Sequence, residues 1–178
     1  MRQMLRSLRT FTRKGGVAPS SSKSSSLPPG SGLHWILPTQ LALGGLPTSG
    51  DRTILAQSNI SVVFSLCAPS EGVLPEEITQ NFRCVRVILP DSRYVAALQV
   101  EQLAQVVTSI HQFIQRQHPV YVHCLAGIER SPTVCIAYLC QYHNMKLWEA
   151  FDYVKGICPR AMPTDAQLKT VQRYLVSL

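Results

Sequence analysis

The chain has 178 residues, enough for one domain. It is 46% hydrophobic and 15% charged, which excludes a wholly disordered chain, and no stretch approaches the roughly 18 apolar residues of a membrane span. The net charge of +7 is local: Arg2, Arg6, Arg9, Arg13, Lys14 and Lys23 lie in a stretch with no acid, and the remainder is nearly neutral, so the charge is no argument for a nucleic-acid partner.

Residues 1–32 read as a basic tail and linker. Met1, Met4, Leu8 and Phe11 fall at helical spacing with arginines between them, the pattern of a cationic amphipathic segment. An Arg-rich, Ser-rich, acid-poor composition is that of an organelle transit peptide. A disordered tail, or a start placed too early, is the plainer reading. In residues 15–32, Gly, Pro and Ser make up 14 of 18 positions, a composition that does not pack. The folded domain is expected over 33–178.

His34–Leu37 and Leu41–Leu43 read as a hairpin-like start, and Asp51–Gln57 as a helix with Asp51 as a cap. Ser61–Leu66 is a buried strand by its β-branched run, and Arg83–Leu89 is another. Val100, Leu103, Val107, Ile110 and Ile114 trace one face of a long helix ended by Pro119, and Val120–Val122 is a third strand. A helix over Ser131–Tyr142 takes Ser131 as N-cap and Pro132 in its first turn. Leu147, Ala150, Phe151 and Val154 mark the next helix, closed by Gly156. Thr164 and Gln167 make a capping box before Leu168, Val171 and Leu175. Strands alternating with helices predict an α/β fold, a central and largely parallel sheet flanked by helices.

The chemistry concentrates in Val122-His123-Cys124-Leu125-Ala126-Gly127-Ile128-Glu129-Arg130-Ser131-Pro132-Thr133. This segment leaves a strand and opens a helix, where α/β folds bind ligands. Five residues separate Cys124 from Arg130, enough to curl around one tetrahedral anion. The backbone N–H groups of Leu125, Ala126, Gly127, Ile128, Glu129 and Arg130 would line that cradle, with the helix N-terminus adding positive potential. Arg130 is suited to grip two phosphate oxygens. The same field favours the thiolate of Cys124, a nucleophile for phosphoryl transfer. Ser131 is placed to hydrogen-bond the sulfur and assist its departure. His123 orients the loop from behind.

His-Cys-x5-Arg-Ser-Pro-Thr resembles the signature of the cysteine-dependent protein phosphatases, most closely the dual-specificity group. The likeness covers most of 33–178, including Ile36-Leu37-Pro38, Leu41-Ala42-Leu43-Gly44 and the closing MKLWEAFDYVK and QLKTVQRYL spans. It implies the family's α/β phosphatase fold. It also implies a general acid, and Asp91, which stands 33 residues before Cys124 in Leu89-Pro90-Asp91-Ser92-Arg93, matches the family's acid loop in order and distance. The acid-then-cysteine order is the reverse of that in the low-molecular-weight phosphatases. No cofactor or metal is implied.

Several residues keep two readings. Glu129 is unusual before the Arg: it either lies at the pocket rim and repels highly charged ligands, which argues against multiply phosphorylated inositol lipids, or it points outward or pairs with an Arg such as Arg93. Glu71, Glu76 and Glu77, in the 67–81 loop, either choose basic peptides or are solvated. Some related phosphatases pair a cysteine at the place of Cys67 with the oxidised nucleophile; a small buried thiol is the alternative. Cys84, Cys135 and Cys140 read as core. Gln167 is a cap or a water-positioning residue.

The resemblance implies hydrolysis of phosphate monoesters on proteins, at phosphotyrosine and extending to phosphoserine and phosphothreonine, through a cysteinyl-phosphate. The alternatives are a phosphatase of a non-protein substrate such as a phosphoinositide, and a phosphate-binding adaptor without turnover. The expected partner is a phosphoprotein, with no nucleic acid, with membrane contact only through the tail, and with a monomeric chain. The expected compartment is the cytoplasm, or the mitochondrion or plastid if residues 1–30 are a transit peptide.

Overall fold

The computed structural model describes residues 32–93 and 96–178; the tail, with its targeting readings, lies outside the described residues. Five strands form one sheet in the order β1-β2-β5-β3-β4: β1 His34–Leu37, β2 Leu41–Gly44, β3 Val62–Ser65, β4 Arg83–Arg86 and β5 Val120–His123. Only β1 and β2 are antiparallel. β2, β5, β3 and β4 run parallel, so Gly44, His123, Ser65 and Arg86 end in one row. Every loop leaving a parallel strand therefore starts at the same sheet edge, which assembles a site from distant parts of the chain.

Alternation along the strands divides the core. Val62, Phe64, Val120 and Val122 face the larger cluster, and Val63 and Tyr121 face a smaller one with Leu55, Ile78 and Phe82. Among the described residues six helices cover the two faces: α1 Asp51–Gln57, α2 Glu76–Thr79, α3 Val100–Gln115, α4 Arg130–His143, α5 Leu147–Ile157 and α6 Asp165–Val176. On α3, Leu103, Val107 and Ile110 of the expected face are buried and Val100 and Ile114 are half-buried, while Val106 and Phe113 complete the buried stripe. α4 is buried all round from Arg130 to Cys140 and is the central helix of its layer. Burying Arg130 and Ser131 at its start sets both side chains inside the protein.

Several local readings are corrected. β4 stops at Arg86, in register with the end of β3 at Ser65, and the rest of the expected strand runs on as an irregular segment in which Val87 N and Leu89 N donate to Ser65 O and Leu66 O. Cys84, on that edge, is exposed rather than core. α3 ends at Gln115, with Gln117 at φ 59°, and Pro119 directly precedes β5. Ser131 is not the cap of α4: the helix begins at Arg130, which frees the serine hydroxyl for other partners. Gly156 lies inside α5, and Cys158 follows its end. Asp51 is the first residue of α1, and its carboxylate accepts from Thr48 N and Oγ1 at 2.7 and 2.8 Å. The Thr164–Gln167 capping box of α6 is present in both directions.

Candidate active site

Cys124 follows β5 directly and is 3% exposed. The loop behind it is pinned from both sides. Leu46 N donates to Leu125 O at 3.0 Å, and Met162 N donates to Ile128 O at 2.7 Å. Each trans peptide is planar, with N–H opposite C=O. The outward carbonyls of Leu125 and Ile128 therefore turn the Ala126 and Glu129 N–H groups toward the cavity. Gly127 adopts φ +69°, and a Cβ there would meet Gly44 C at 2.7 Å and Gly45 N at 2.8 Å. The turn needs a residue that accepts left-handed backbone and has no side chain.

His123 is fully buried, and its Nδ1 lies 3.2 Å from Cys124 O. A carbonyl only accepts, so Nδ1 carries the proton and donates. Burial holds the imidazole down, to a pKa of about 4, so it stays neutral. Ser131 Oγ donates to Gly44 O at 3.1 Å and lies 3.4 Å from Cys124 Sγ. One hydroxyl proton thus has two acceptors within reach. It bonds Gly44 O while the sulfur is a thiol, and can turn to a thiolate.

Arg130 is held by two carboxylates. Nη2 donates to Glu71 Oε1 at 2.8 Å and Nη1 to Glu71 Oε2 at 3.0 Å, a fork-to-fork pair. Nη2 also donates to Asp91 Oδ2 at 2.8 Å, and Nη1 to Leu89 O at 3.2 Å. Asp91 in turn accepts from Arg93 Nε at 2.7 Å and Arg93 N at 3.0 Å. The Arg93 hydrogen bond, with Arg130 adding to it, holds the Asp91 carboxyl below its ordinary range. Burial pushes the Glu71 carboxyl up, but its hydrogen bonds to Arg130 and Ala68 N outweigh that and lower it.

The sequence places Glu71 in a loop wall that chooses basic peptides or is solvated. The structure corrects both readings, because its side chain is 7% exposed and its charge is spent on Arg130. The available signal was its place in the loop leaving β3, whose strand ends beside His123. Glu76 and Glu77 do sit at the surface, bonded to Gln80 and Ser49. Glu129 lines the cavity and accepts from the Ser92 hydroxyl, which ties the rim to the Asp91 loop.

A cavity of about 230 Å³ results, lined by Cys124, Leu125, Ala126, Ile128, Glu129 and Arg130 with Asp91 and Arg93. The structure thus brings the expected nucleophile, cradle and acid to one place. Cys67 is a free and fully buried thiol; burial pushes it up to about 11. Gln167 Oε1 accepts from Thr164 N at 2.9 Å and Thr133 Oγ1 at 3.3 Å, the capping arrangement. Among the described residues no group of three His, Cys, Asp or Glu side chains is arranged to hold a metal ion. None of their helices is long and apolar enough to cross a membrane.

Comparison with known proteins agrees with this geometry. Residues 41–175 match the family model of the dual specificity phosphatase catalytic domain. The chain is 32% identical to phosphatidylglycerophosphate phosphatase PTPMT1 of Arabidopsis thaliana over 75% of its length and 40% of the relative's. The corresponding PTPMT2 is 28% identical, and 59% of it is covered, so the chain spans about half the length of these two relatives. Dual specificity protein phosphatase 22-B of Danio rerio is 28% identical, with 82% of this chain and 75% of the relative aligned. Among solved structures, Tk-PTP in the active form superposes with a TM-score of 0.73 at 23% identity, covering 83% of this chain and 98% of that one. PTPMT1 in complex with PI(5)P gives 0.73 at 23%, covering 82% and 96%. These structural likenesses support the fold. The chain belongs to the dual specificity phosphatase catalytic domain family.

Proposed function

We propose that this phosphatase domain hydrolyses phosphate monoesters on proteins in two steps through Cys124. The observation that carries the reading is the convergence of Cys124, Arg130 and Asp91 on one cavity, with Ser131 Oγ behind it at 3.4 Å from the sulfur and Asp91 2.8 Å from Arg130.

The phosphate sits in the 125–130 cradle, and its oxygens replace Asp91 on Arg130 Nη2. Asp91 then loses a cationic partner and gains an anionic neighbour, and both changes favour its protonated form. The Cys124 thiolate attacks phosphorus, the bond to the leaving oxygen breaks, and the Asp91 proton passes to that oxygen. The Asp91 carboxylate next takes a proton from water. The resulting hydroxide oxygen bonds to phosphorus, the P–S bond breaks, and the Ser131 hydroxyl hydrogen-bonds the departing sulfur. Glu71 holds the guanidinium plane throughout.

A protein substrate is supported by the dual specificity protein phosphatase relatives, including one aligned over 75% of its length. A lipid phosphate monoester is the second reading, supported by the 32% identity to a phosphatidylglycerophosphate phosphatase. The test is hydrolysis of para-nitrophenyl phosphate in EDTA by wild type and Cys124→Ser, followed by kcat/KM on phosphotyrosine peptides, phosphoserine peptides and phosphatidylglycerophosphate vesicles. Turnover lost with Cys124→Ser and highest on a phosphopeptide supports the main reading. A higher kcat/KM on the vesicles selects the second. A folded, reduced wild type that binds phosphate without hydrolysing any ester is an adaptor.

A further inference from the structure

Two buried side-chain atoms have no hydrogen-bond partner among the described residues: Ser65 Oγ and His123 Nε2. They are not scattered. Ser65 and His123 are register partners at the ends of neighbouring parallel strands. Partners in such a pair send their side chains to the same face. Val63 and Tyr121, two residues earlier on each strand, pair in the same way and both lie in the smaller core cluster. Ser65 is 1% exposed and His123 is 0% exposed.

Their chemistries are complementary through a bridge. His123 Nδ1 donates to Cys124 O, so in the neutral ring Nε2 is an acceptor and needs a donor. Ser65 Oγ both donates and accepts. A cleft of about 230 Å³, lined by Ser65, Thr79, Cys84 and Arg86 among others, reaches Ser65 from the outer side of β3 and β4. Ser65 forms part of the inner wall of that cleft, with its hydroxyl oxygen shielded from bulk solvent. Buried polar atoms left without a partner are costly, on the order of 1–3 kcal/mol each. A water needs only two to four polar partners to be held.

We propose that an internal water bridges Ser65 Oγ and His123 Nε2, and that Ser65 is thereby a positioning residue for the Cys124 loop. The water donates to His123 Nε2 and accepts from the Ser65 hydroxyl. The Cys124 carbonyl holds the proton on Nδ1, and the bridge satisfies the Nε2 lone pair that this leaves facing Ser65. The opposite tautomer would set the Nδ1 lone pair against the Cys124 carbonyl oxygen 3.2 Å away. That carbonyl would then be released, and with it the Leu125 N–H on the other side of the same peptide. The charged or titratable groups around His123 are Arg86, Arg130 and Cys124, with Tyr121 stacked at 6.1 Å. Both arginines disfavour a second proton on the ring, so Nε2 stays an acceptor for the bridging water.

The role of the relay rests on the nucleophile assigned above, but the test does not need turnover. A high-resolution crystal structure of the wild-type chain should show a water within hydrogen-bonding distance of both atoms. A dry gap, or a direct Ser65–His123 bond, would overturn the bridge. Nitrogen-15 spectra of labelled histidine should show His123 Nε2 unprotonated in the wild type, and the Nε2 shift, which reports the hydrogen bond it accepts, should move in Ser65→Ala. On para-nitrophenyl phosphate, Ser65→Ala should lower kcat about tenfold, the worth of one hydrogen bond at the site. KM should change less, and Ser65→Thr, which keeps the hydroxyl, should restore both readouts. Unchanged spectra and kcat in a folded Ser65→Ala would overturn the relay. A wild type with no turnover but the expected water and tautomer would count against the proposed function alone.

Discussion

Arg130 Nη2 donates at 2.8 Å to Asp91 Oδ2, so the cation proposed to hold phosphate already touches the carboxylate proposed as the acid. The contact makes the acid's protonation state depend on what else Arg130 holds. With Arg93 Nε at 2.7 Å on the other carboxylate oxygen, Asp91 is ionised in this conformation. Under the proposed mechanism, substrate phosphate removes the Arg130 contact and favours the proton that the first step needs.

The pH profile checks this coupling. The basic limb of kcat/KM reports the acid of the free enzyme. Arg93 lowers the Asp91 carboxyl more than any other group, so Arg93→Ala should raise it and move the basic limb to higher pH. An unmoved limb, measured on an alkyl phosphate, would show that another group is the acid. The Arg93 side chain is 62% exposed, so the displacement should shrink in high salt.

Asp91→Asn removes the proton but keeps the shape. The loss of kcat should be about a hundredfold on an alkyl phosphate. It should be smaller on para-nitrophenyl phosphate, whose leaving group needs little protonation. Equal losses on both would argue for a role in folding or binding.

Glu71→Ala leaves Arg130 with one carboxylate. Arg130 and Glu71 side chains are 3% and 7% exposed, so the pair is buried and its loss should cost on the order of 3 kcal/mol, read by urea unfolding. The folded Glu71 carboxyl lies below its unfolded value of 4.5. Its contribution is therefore complete above that unfolded value and is lost as pH falls through the lower folded one. Wild type should lose stability across that acid window, and Glu71→Gln should lose less.

Gly127→Ala tests the loop. A Cβ 2.7 Å from Gly44 C, at φ +69°, cannot be placed without moving the cradle. Destabilisation of about 1–3 kcal/mol with a collapse of kcat/KM is expected. Near-normal activity would show that the loop tolerates another shape.

The elements with a strong period were legible: the stripe on α3, the β-branched runs of β3 and β5, and the capping box of α6 all stand where the sequence places them. The Cys124–Arg130 loop was legible because its spacing is itself the geometry. What escaped depended on neighbours. β4 ends at Arg86 because its partner β3 ends in the same register, and Cys84 is exposed because it lies on the sheet edge; no local pattern records either. Ser131 looked like a cap because caps and thiolate partners use the same hydroxyl. Glu71 looked like a surface loop residue, and only the parallel register that brings the β3 and β5 ends together makes it the partner of Arg130.

In the proposed mechanism Cys124 carries the phosphoryl group between the two steps. In Asp91→Ala with para-nitrophenyl phosphate, the first step proceeds on a good leaving group while the base for the second is gone. Acid quenching followed by peptide mass analysis should find one phosphoryl group on the Cys124 peptide, and none in Asp91→Ala/Cys124→Ser. Release of nitrophenol with no phosphoryl group on any quenched cysteine would contradict the account.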